Sequence, residues 1–423
     1  MRRFLRRLLT GSAARRGVVA MASGTLAGQL ILSVGALILA RVYSTEAFGV
    51  LSLVVALAAI AGPAATLKLE AALLLPDDED DARRLLRASV VSAALGAGLA
   101  GIAVWIADAY GASTLWGGVD YAPTWVAGMV FATATFGIVS QAALRERHYG
   151  TVAARSVTQS LGIVGGQLGF ALLSRGPAGL LGGLLLGRFV GYVPLIRVLG
   201  GLRSRPVTGS YREVLRRYWR FPLVFTPSNL LNTLGTQLPL ILIGAAFGAS
   251  AAGHLGMAQR LAFLPSSLLG AALAKAFGAE LAKRVRERGD SNRGLYLRIS
   301  GQMAIVAALL MLALLALSPW LFPILLGEAW AESGLFAQAM AVSVGLGLIA
   351  SPVSRVFWVY QSTRIVAIDV ARVAMIAGAA VLAHSLDTTA VTMAWMLYGA
   401  QALNYVMSWF YGLRVASGAP PRG

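Results

Sequence analysis

Along its 423 residues the sequence returns twelve times to an apolar stretch long enough to cross a bilayer. These stretches run over about 17–40, 48–67, 88–107, 122–144, 156–174, 178–199, 221–247, 251–273, 297–318, 332–354, 365–384 and 389–412. A spanning helix needs roughly 20 mostly apolar residues, because the hydrocarbon core is thick and the backbone must satisfy its own hydrogen bonds there. Only 13% of the residues are charged, against roughly 25% in a soluble domain. The expectation is an all-α polytopic membrane protein of twelve transmembrane helices.

The chain carries 36 lysines and arginines against 18 acids, a net charge of +18. In a soluble protein that excess would point to nucleic acid. Here the basic residues separate apolar segments and lack the interleaved aromatics that stack bases, so no nucleic-acid partner is expected. With a cytoplasmic N-terminus the outer loops hold only Arg41 and Arg175, and the other 34 basic residues fall on inner loops, inner helix ends or inside helices. That asymmetry follows the positive-inside rule and predicts that both termini are cytoplasmic. The opening "MRRFLRRLLTGSAARRG" looks like the basic flank of a signal peptide. The apolar run after it is about 24 residues long with no clear small-residue cleavage site, so it reads as a retained first span. Phe4, Leu5, Leu8 and Leu9 among Arg2, Arg3, Arg6 and Arg7 also suit a short helix lying along the inner leaflet.

Two long cytoplasmic connections end at Arg220 and Arg298, and the first divides the chain into six-span lobes, 1–205 and 206–423. "YSTEAFG" after the first span and "FGASAAG" after the seventh, offset by 204, form a faint internal repeat. Repeated halves around a central site are the usual construction of a secondary transporter. The outer loops are too short for an extracellular active site and no nucleotide-binding domain fits, so the chain is not expected to be an enzyme. The absence of cysteine excludes disulfides and thiol nucleophiles. His148, His254 and His384 each stand alone near a predicted helix end and read as interfacial residues, so neither metal nor cofactor is expected.

Several charges nevertheless lie inside spans. "GLLGGLLLGRFVGYV" sets Arg188 beside a stripe of Gly179, Gly183, Gly187 and Gly191 that lets another helix approach closely. A charge at helix centre costs roughly 2.5–3.5 kcal/mol on the insertion scale, so it must face protein or water. Arg188 therefore either pairs with a neighbouring carboxylate or carbonyl, or lines a cavity and meets an anionic ligand. Arg155, Arg260, Arg355 and Arg372 lie in or near the inner halves of their helices, with Lys68 at the end of span two. Any one of them can snorkel to headgroups. Together they outnumber the buried acids, chiefly Glu70 and Asp369, so an inward-facing cavity would be net positive. Arginine's planar fork suits phosphate, which makes a phosphate ester the implied ligand.

Span seven carries Thr226, Asn229, Thr233 and Thr236 at spacings of three and four, with Asn232 and Gln237 near that face and Pro227 and Pro239 within it. A polar stripe on a proline-broken helix suits a hydrated lumen, and equally suits interhelical hydrogen bonding. "PDDEDDARR" reads as an acidic helix start rather than a magnesium site. Asp369 and Arg372 are three apart and can pair; Glu70 is two residues from Lys68. Either acid can serve as a coupling-ion site or belong to a structural pair.

Three stretches, "ARVYSTEAFGVLSLVVALAAIAGPAATLKLEAALLLPDDEDDA", "TPSNLLNTLGTQLPLILIGAAFG" and "AQRLAFLPSSLLGAALAKAFG", resemble the bacterial polysaccharide-export flippases. These share a superfamily with the multidrug and toxin extrusion antiporters and the lipid II flippases. The resemblance is strongest over residues 40–82 and 221–285. It implies two six-helix lobes around a central lumen and translocation of an undecaprenyl-diphosphate-linked oligosaccharide for O-antigen, capsule or exopolysaccharide, by alternating access with ion-gradient coupling. On that reading Arg188, Arg260, Arg355 and Arg372 meet the diphosphate or acidic sugars, Asn229, Asn232 and Gln237 meet sugar hydroxyls, and Glu70 and Asp369 are the ion-coupling candidates. The partners are then the lipid-linked substrate, membrane lipid and a polysaccharide polymerase or assembly protein. Two other readings stay open, an antiporter of small amphipathic molecules and a non-transporting subunit of a polysaccharide-assembly complex.

Overall fold

A computed structural model describes residues 13–76, 78–111, 121–146, 148–195, 210–287, 291–360, 362 and 364–418. The described residues form helices and no strand. In chain order the helices are α1 (Ala13–Leu39), α2 (Thr45–Ala65), α3 (Leu69–Ala72), α4 (Glu79–Ala109), α5 (Ala122–Arg145), α6 (Tyr149–Ala171) and α7 (Pro177–Val190). They continue as α8 (Tyr211–Arg217), α9 (Thr226–Glu287), α10 (Arg293–Leu326), α11 (Ala331–Val353), α12 (Arg355–Val359), α13 (Arg364–Ser385) and α14 (Ala390–Ser417). The N-terminal interfacial segment and the expected 205/206 lobe boundary lie outside the described residues.

Among the described residues, 9 helical stretches are long and apolar enough to cross a membrane. Each of the twelve apolar segments overlaps a helix, and the difference has two local causes. The seventh and eighth segments run together in α9, interrupted only at Gly248, whose φ of 84° and ψ of −179° break the helical path. That is a region where a Cβ is strained and glycine is not. The fifth and twelfth segments fall on α6 and α14, where polar residues such as Arg155, Gln159 and Gln167, or Gln401 and Asn404, dilute the apolar pattern.

The acidic run proves to be a helix start. Asp78 caps α4 by accepting from the Asp81 amide at 3.3 Å, and Glu79, Asp80 and Asp81 occupy the first turn, where the helix dipole favours negative charge. Arg83 pairs with Glu79 and Asp80 at 3.3 and 3.1 Å, and Arg84 pairs with Asp81 at 3.1 Å. No group of acidic or histidine side chains suited to a metal occurs among the described residues. Between α2 and α3 the chain is sharply redirected, with Leu67 and Lys68 both left-handed at φ 53° and 55°. Such a conformation is costly for non-glycine residues and survives only where surrounding packing holds it. Arg145 at the end of α5 supplies part of that hold, donating to the carbonyls of Leu73 and Pro76 at 2.9 and 2.6 Å.

The fold divides into two compact units, Met1–Thr233 and Leu234–Gly423. In the first, α8 joins α4 through an Arg217–Asp81 ion pair of 2.7 Å. Glycine contacts dominate its centre. Gly24, Gly28 and Gly35 let α1 lie against α6, and a Cβ on Gly183 or Gly187 of α7 would collide with the α6 backbone at Gln167 or Ile163. The Gln167 carbonyl accepts from the buried Tyr43 hydroxyl at 2.7 Å, and its side chain donates to the Leu180 carbonyl at 3.0 Å. The second unit is built around Phe277, Tyr296, Val353, Phe357 and Ile368, where α9, α10, α11, α12, α13 and α14 converge.

Since the α7 glycines sit against backbone rather than movable side chains, Gly187→Val should destabilise the protein by about 3 kcal/mol through overpacking. Thermal unfolding in detergent should show a clear fall in the midpoint, whereas Gly165→Ala, at a position with open space, should leave it nearly unchanged.

Candidate functional site

The first unit places two arginines in one polar cluster. Arg155 rises from α6 and is 2% exposed; Arg188 projects from the last turn of α7 and is half-buried. Arg188 Nη1 donates to the Thr133 hydroxyl of α5, which in turn donates to the Met129 carbonyl at 2.7 Å. Arg155 Nη1 donates to the Ser140 hydroxyl, its Nη2 reaches Gln159 Oε1 at 3.4 Å, and its guanidinium stacks 3.1 Å above the Phe136 ring. The Tyr192 hydroxyl, held 2.7 Å from Thr135 Oγ1, lies within electrostatic reach of both cations.

All these partners are neutral. Among the described residues neither arginine has an acidic partner, the two repel each other, and the Nε of each is buried without a hydrogen-bond partner. Hydroxyls, an amide and an aromatic face orient a guanidinium but leave its charge intact. Buried charges are ordinarily paired, because desolvation costs more than neutral hydrogen bonds return. Two uncompensated guanidiniums with spare donors match in charge and hydrogen bonding an anion with several acceptor oxygens. The carboxylate or carbonyl expected as the structural partner of Arg188 is a threonine hydroxyl instead.

The remaining expected residues are divided between the two units. Arg355 opens α12, is exposed, and lays its stem near Gly278, which is about 27 Å of helix along α9 from Arg260. Arg260 is half-buried. Asn229 and Gln237 are half-buried on α9 and Asn232 is exposed. The Thr233 hydroxyl on that face returns to the Asn229 carbonyl at 2.9 Å, within the helix. Arg372 and Asp369 form a buried ion pair along α13, and Arg372 packs against Gly235 of α9. Both members of that pair are expected site residues, yet they neutralise each other. Glu70 is 7% exposed, lies 3.8 Å from Lys68 Nζ, and keeps its Oε2 without a hydrogen-bond partner. It occupies α3, directly after the left-handed pair, and its Cγ approaches Gly137 of α5.

One histidine departs from the reading of isolated interfacial residues. His254 is buried, with Nδ1 3.1 Å from the Ser333 hydroxyl, Nε2 3.6 Å from Glu332 and the ring edge-on to Trp330. Residues 254 and 333 are 79 positions apart, so only the packing of α9 on the start of α11 reveals the cluster. His148 and His384 are exposed at helix ends.

The family pattern described as "Polysaccharide biosynthesis protein" matches residues 38–334. Among solved structures the chain is similar to a lipid II flippase MurJ in an inward closed conformation, with TM-score 0.68, 11% identity, and coverage of 94% of this chain and 87% of that one. It is also similar to a MOP superfamily transporter from Pyrococcus furiosus described as having a binding pocket of reverse polarity, with TM-score 0.62, 15% identity, and coverage of 97% and 98%. A third similarity is to a multidrug resistance MATE family transporter of the MOP superfamily in an inward-facing conformation, with TM-score 0.60, 15% identity, and coverage of 94% of each chain. No curated protein matches the chain by sequence.

Removing one member of the α13 pair should strand a buried charge. Asp369→Asn is expected to cost about 3–5 kcal/mol, while the double change Asp369→Leu with Arg372→Met should recover most of that loss. Chemical or thermal unfolding of these proteins, with the double-mutant cycle closed by Asp369→Leu and Arg372→Met alone, measures the difference.

Proposed function

Because this chain belongs to the polysaccharide biosynthesis protein family, with the fold of the MOP superfamily transporters, we propose that it is a flippase for an undecaprenyl-diphosphate-linked oligosaccharide. On this reading it has twelve spans, both termini cytoplasmic, and two six-helix lobes around a central lumen in a bacterial inner membrane. It moves its substrate from the inner to the outer leaflet by alternating access, for O-antigen, capsule or exopolysaccharide synthesis, without covalent chemistry or a cofactor.

The observation that carries this reading is the Arg155–Arg188 pair, two charges with only neutral partners and spare Nε donors. A diphosphate offers both negative charge and several acceptors at the spacing of guanidinium forks. Arg188 is the first ligand, and Arg155, marked by the sequence as an inner-half cation but not as a substrate ligand, is the second. Arg260, Arg355 and Arg372 are further candidates for acidic groups, and Asn229, Asn232 and Gln237 for sugar hydroxyls. The ion pair of Asp369 with Arg372 makes Glu70, whose carboxylate keeps a free oxygen, the first choice for a coupling ion. A transporter of organic cations would need the opposite charge in its site, which weighs against the antiporter reading.

The test is translocation of a fluorescent undecaprenyl-diphosphate oligosaccharide in sealed proteoliposomes. Loss of a charged hydrogen bond is worth about 1.5–3 kcal/mol, so Arg188→Ala should slow translocation roughly ten- to hundredfold. Arg188→Lys should retain part of the rate. Equal rates for all three proteins at equal reconstitution would remove Arg188 from the substrate path. In the same vesicles Glu70→Gln should lose the response to an imposed proton or sodium gradient, and gradient-independent transport by the native chain would rule out coupling.

A further inference from the structure

The second unit contains a cavity of about 390 Å³ walled by Leu297, Gly301 and Ala304 of α10, Ile349 of α11, and Trp409 and Phe410 of α14. Its few polar atoms are already engaged. Trp409 Nε1 donates to the Ser300 hydroxyl, and the Tyr296 hydroxyl donates to the Trp409 carbonyl, each at 2.9 Å. What remains is an apolar wall. Among the described residues, α10 is the most apolar of the candidate spans and the least covered by the rest of the protein. A helix so apolar and so little covered by protein is wetted by hydrocarbon, and a groove along it takes a hydrocarbon chain.

One end of the groove is basic. The Asn292 amide and the Ser291 hydroxyl both donate to the Ala416 carbonyl, at 2.9 and 3.4 Å, which ties the start of α10 to the end of α14. Arg293 stands one helical turn before Leu297, and Arg414 one turn after Phe410, so both flank the same end of the groove. Arg298 adds a third exposed guanidinium beside Leu297. Among the described residues none of the three is ion-paired, and α10 has no acid in its first turn.

We propose that this groove is a binding site for an anionic phospholipid, with one acyl chain against the α10–α11–α14 wall and the phosphate between Arg293 and Arg414. Apolar wall and basic rim stand in the order in which a lipid presents chain and headgroup, and arginine meets phosphate with paired donors. The site lies wholly within the second unit and uses none of the residues assigned to the oligosaccharide. It depends on the flippase reading only for the leaflet, which is the cytoplasmic one if the termini are cytoplasmic.

Native mass spectrometry of the full-length protein, released from detergent with added phosphatidylglycerol, phosphatidylcholine or undecaprenyl phosphate, tests the site. Phosphatidylglycerol should be retained roughly tenfold more than phosphatidylcholine, from the attraction of two arginines for one headgroup. The preference should vanish in Arg293→Gln with Arg414→Gln, persist in the double lysine variant, and persist in Arg216→Gln with Arg220→Gln, which alters exposed cations elsewhere. Ala304→Leu, which fills the groove, should lower retention of phosphatidylglycerol with the rim intact. Equal retention of the two phospholipids, or unchanged retention in the double glutamine variant, would overturn the proposal. Displacement of phosphatidylglycerol by undecaprenyl phosphate would overturn it in favour of the substrate's own tail. None of these outcomes depends on translocation, so the flippase reading stands or falls separately.

Discussion

The close approach of α7 to α6 governs the first unit. Glycine at 183 and 187 removes the side chains that would separate the two helices, and the backbones meet at Gln167 and Ile163. Gly191 carries the contact on to Gln159, one turn beyond Arg155. Arg188, next to Gly187, is thereby brought within electrostatic reach of Arg155 and within hydrogen-bond reach of α5. In a membrane such packing has little hydrophobic driving force behind it, so van der Waals fit and hydrogen bonds such as Gln167 to Leu180 must hold it. The same fit that stabilises the helix pair sets two like charges side by side.

Buried charge is compensated in the second unit, and left uncompensated around Arg155 in the first, although Arg83 and Glu70 there are themselves paired. In the second, Asp369 and Arg372 lie one turn apart on α13 and cancel each other's charge locally. In the first, Arg155 and Arg188 are oriented by Thr133, Ser140, Gln159 and Phe136, none of which carries charge. A site of that kind is costly when empty and favourable when an anion enters, which is the condition for binding rather than for stability. The contrast also separates charge-paired from uncompensated arginines in a chain where composition alone makes them look equivalent.

Much of the architecture was legible because membrane insertion imposes coarse rules. Length and hydropathy marked the helical segments, the Asp78–Asp81 run announced the start of α4, and the glycine period of α7 announced a close neighbour. The sequence separates its seventh and eighth segments at 247–251, and Gly248 leaves the helical path within that gap. His254 does not stand alone as its isolation in the sequence suggested. Its partners lie 79 residues away on another helix, and no spacing along one segment encodes that meeting.

The sequence by itself determined that the chain is a multi-pass helical membrane protein with a basic excess, because backbone satisfaction in hydrocarbon leaves few alternatives. It also identified which arginines must escape lipid, since the cost of a charge at helix centre is local. Which cations meet, and what they meet, belonged to the tertiary structure. Arg155 joins Arg188, Arg372 is neutralised by Asp369, and Arg355 stands apart from Arg260, because these outcomes depend on helix rotation and contact between segments distant in the chain. Periodicity fixes the face a residue occupies on its own helix; only packing decides which neighbour that face is given.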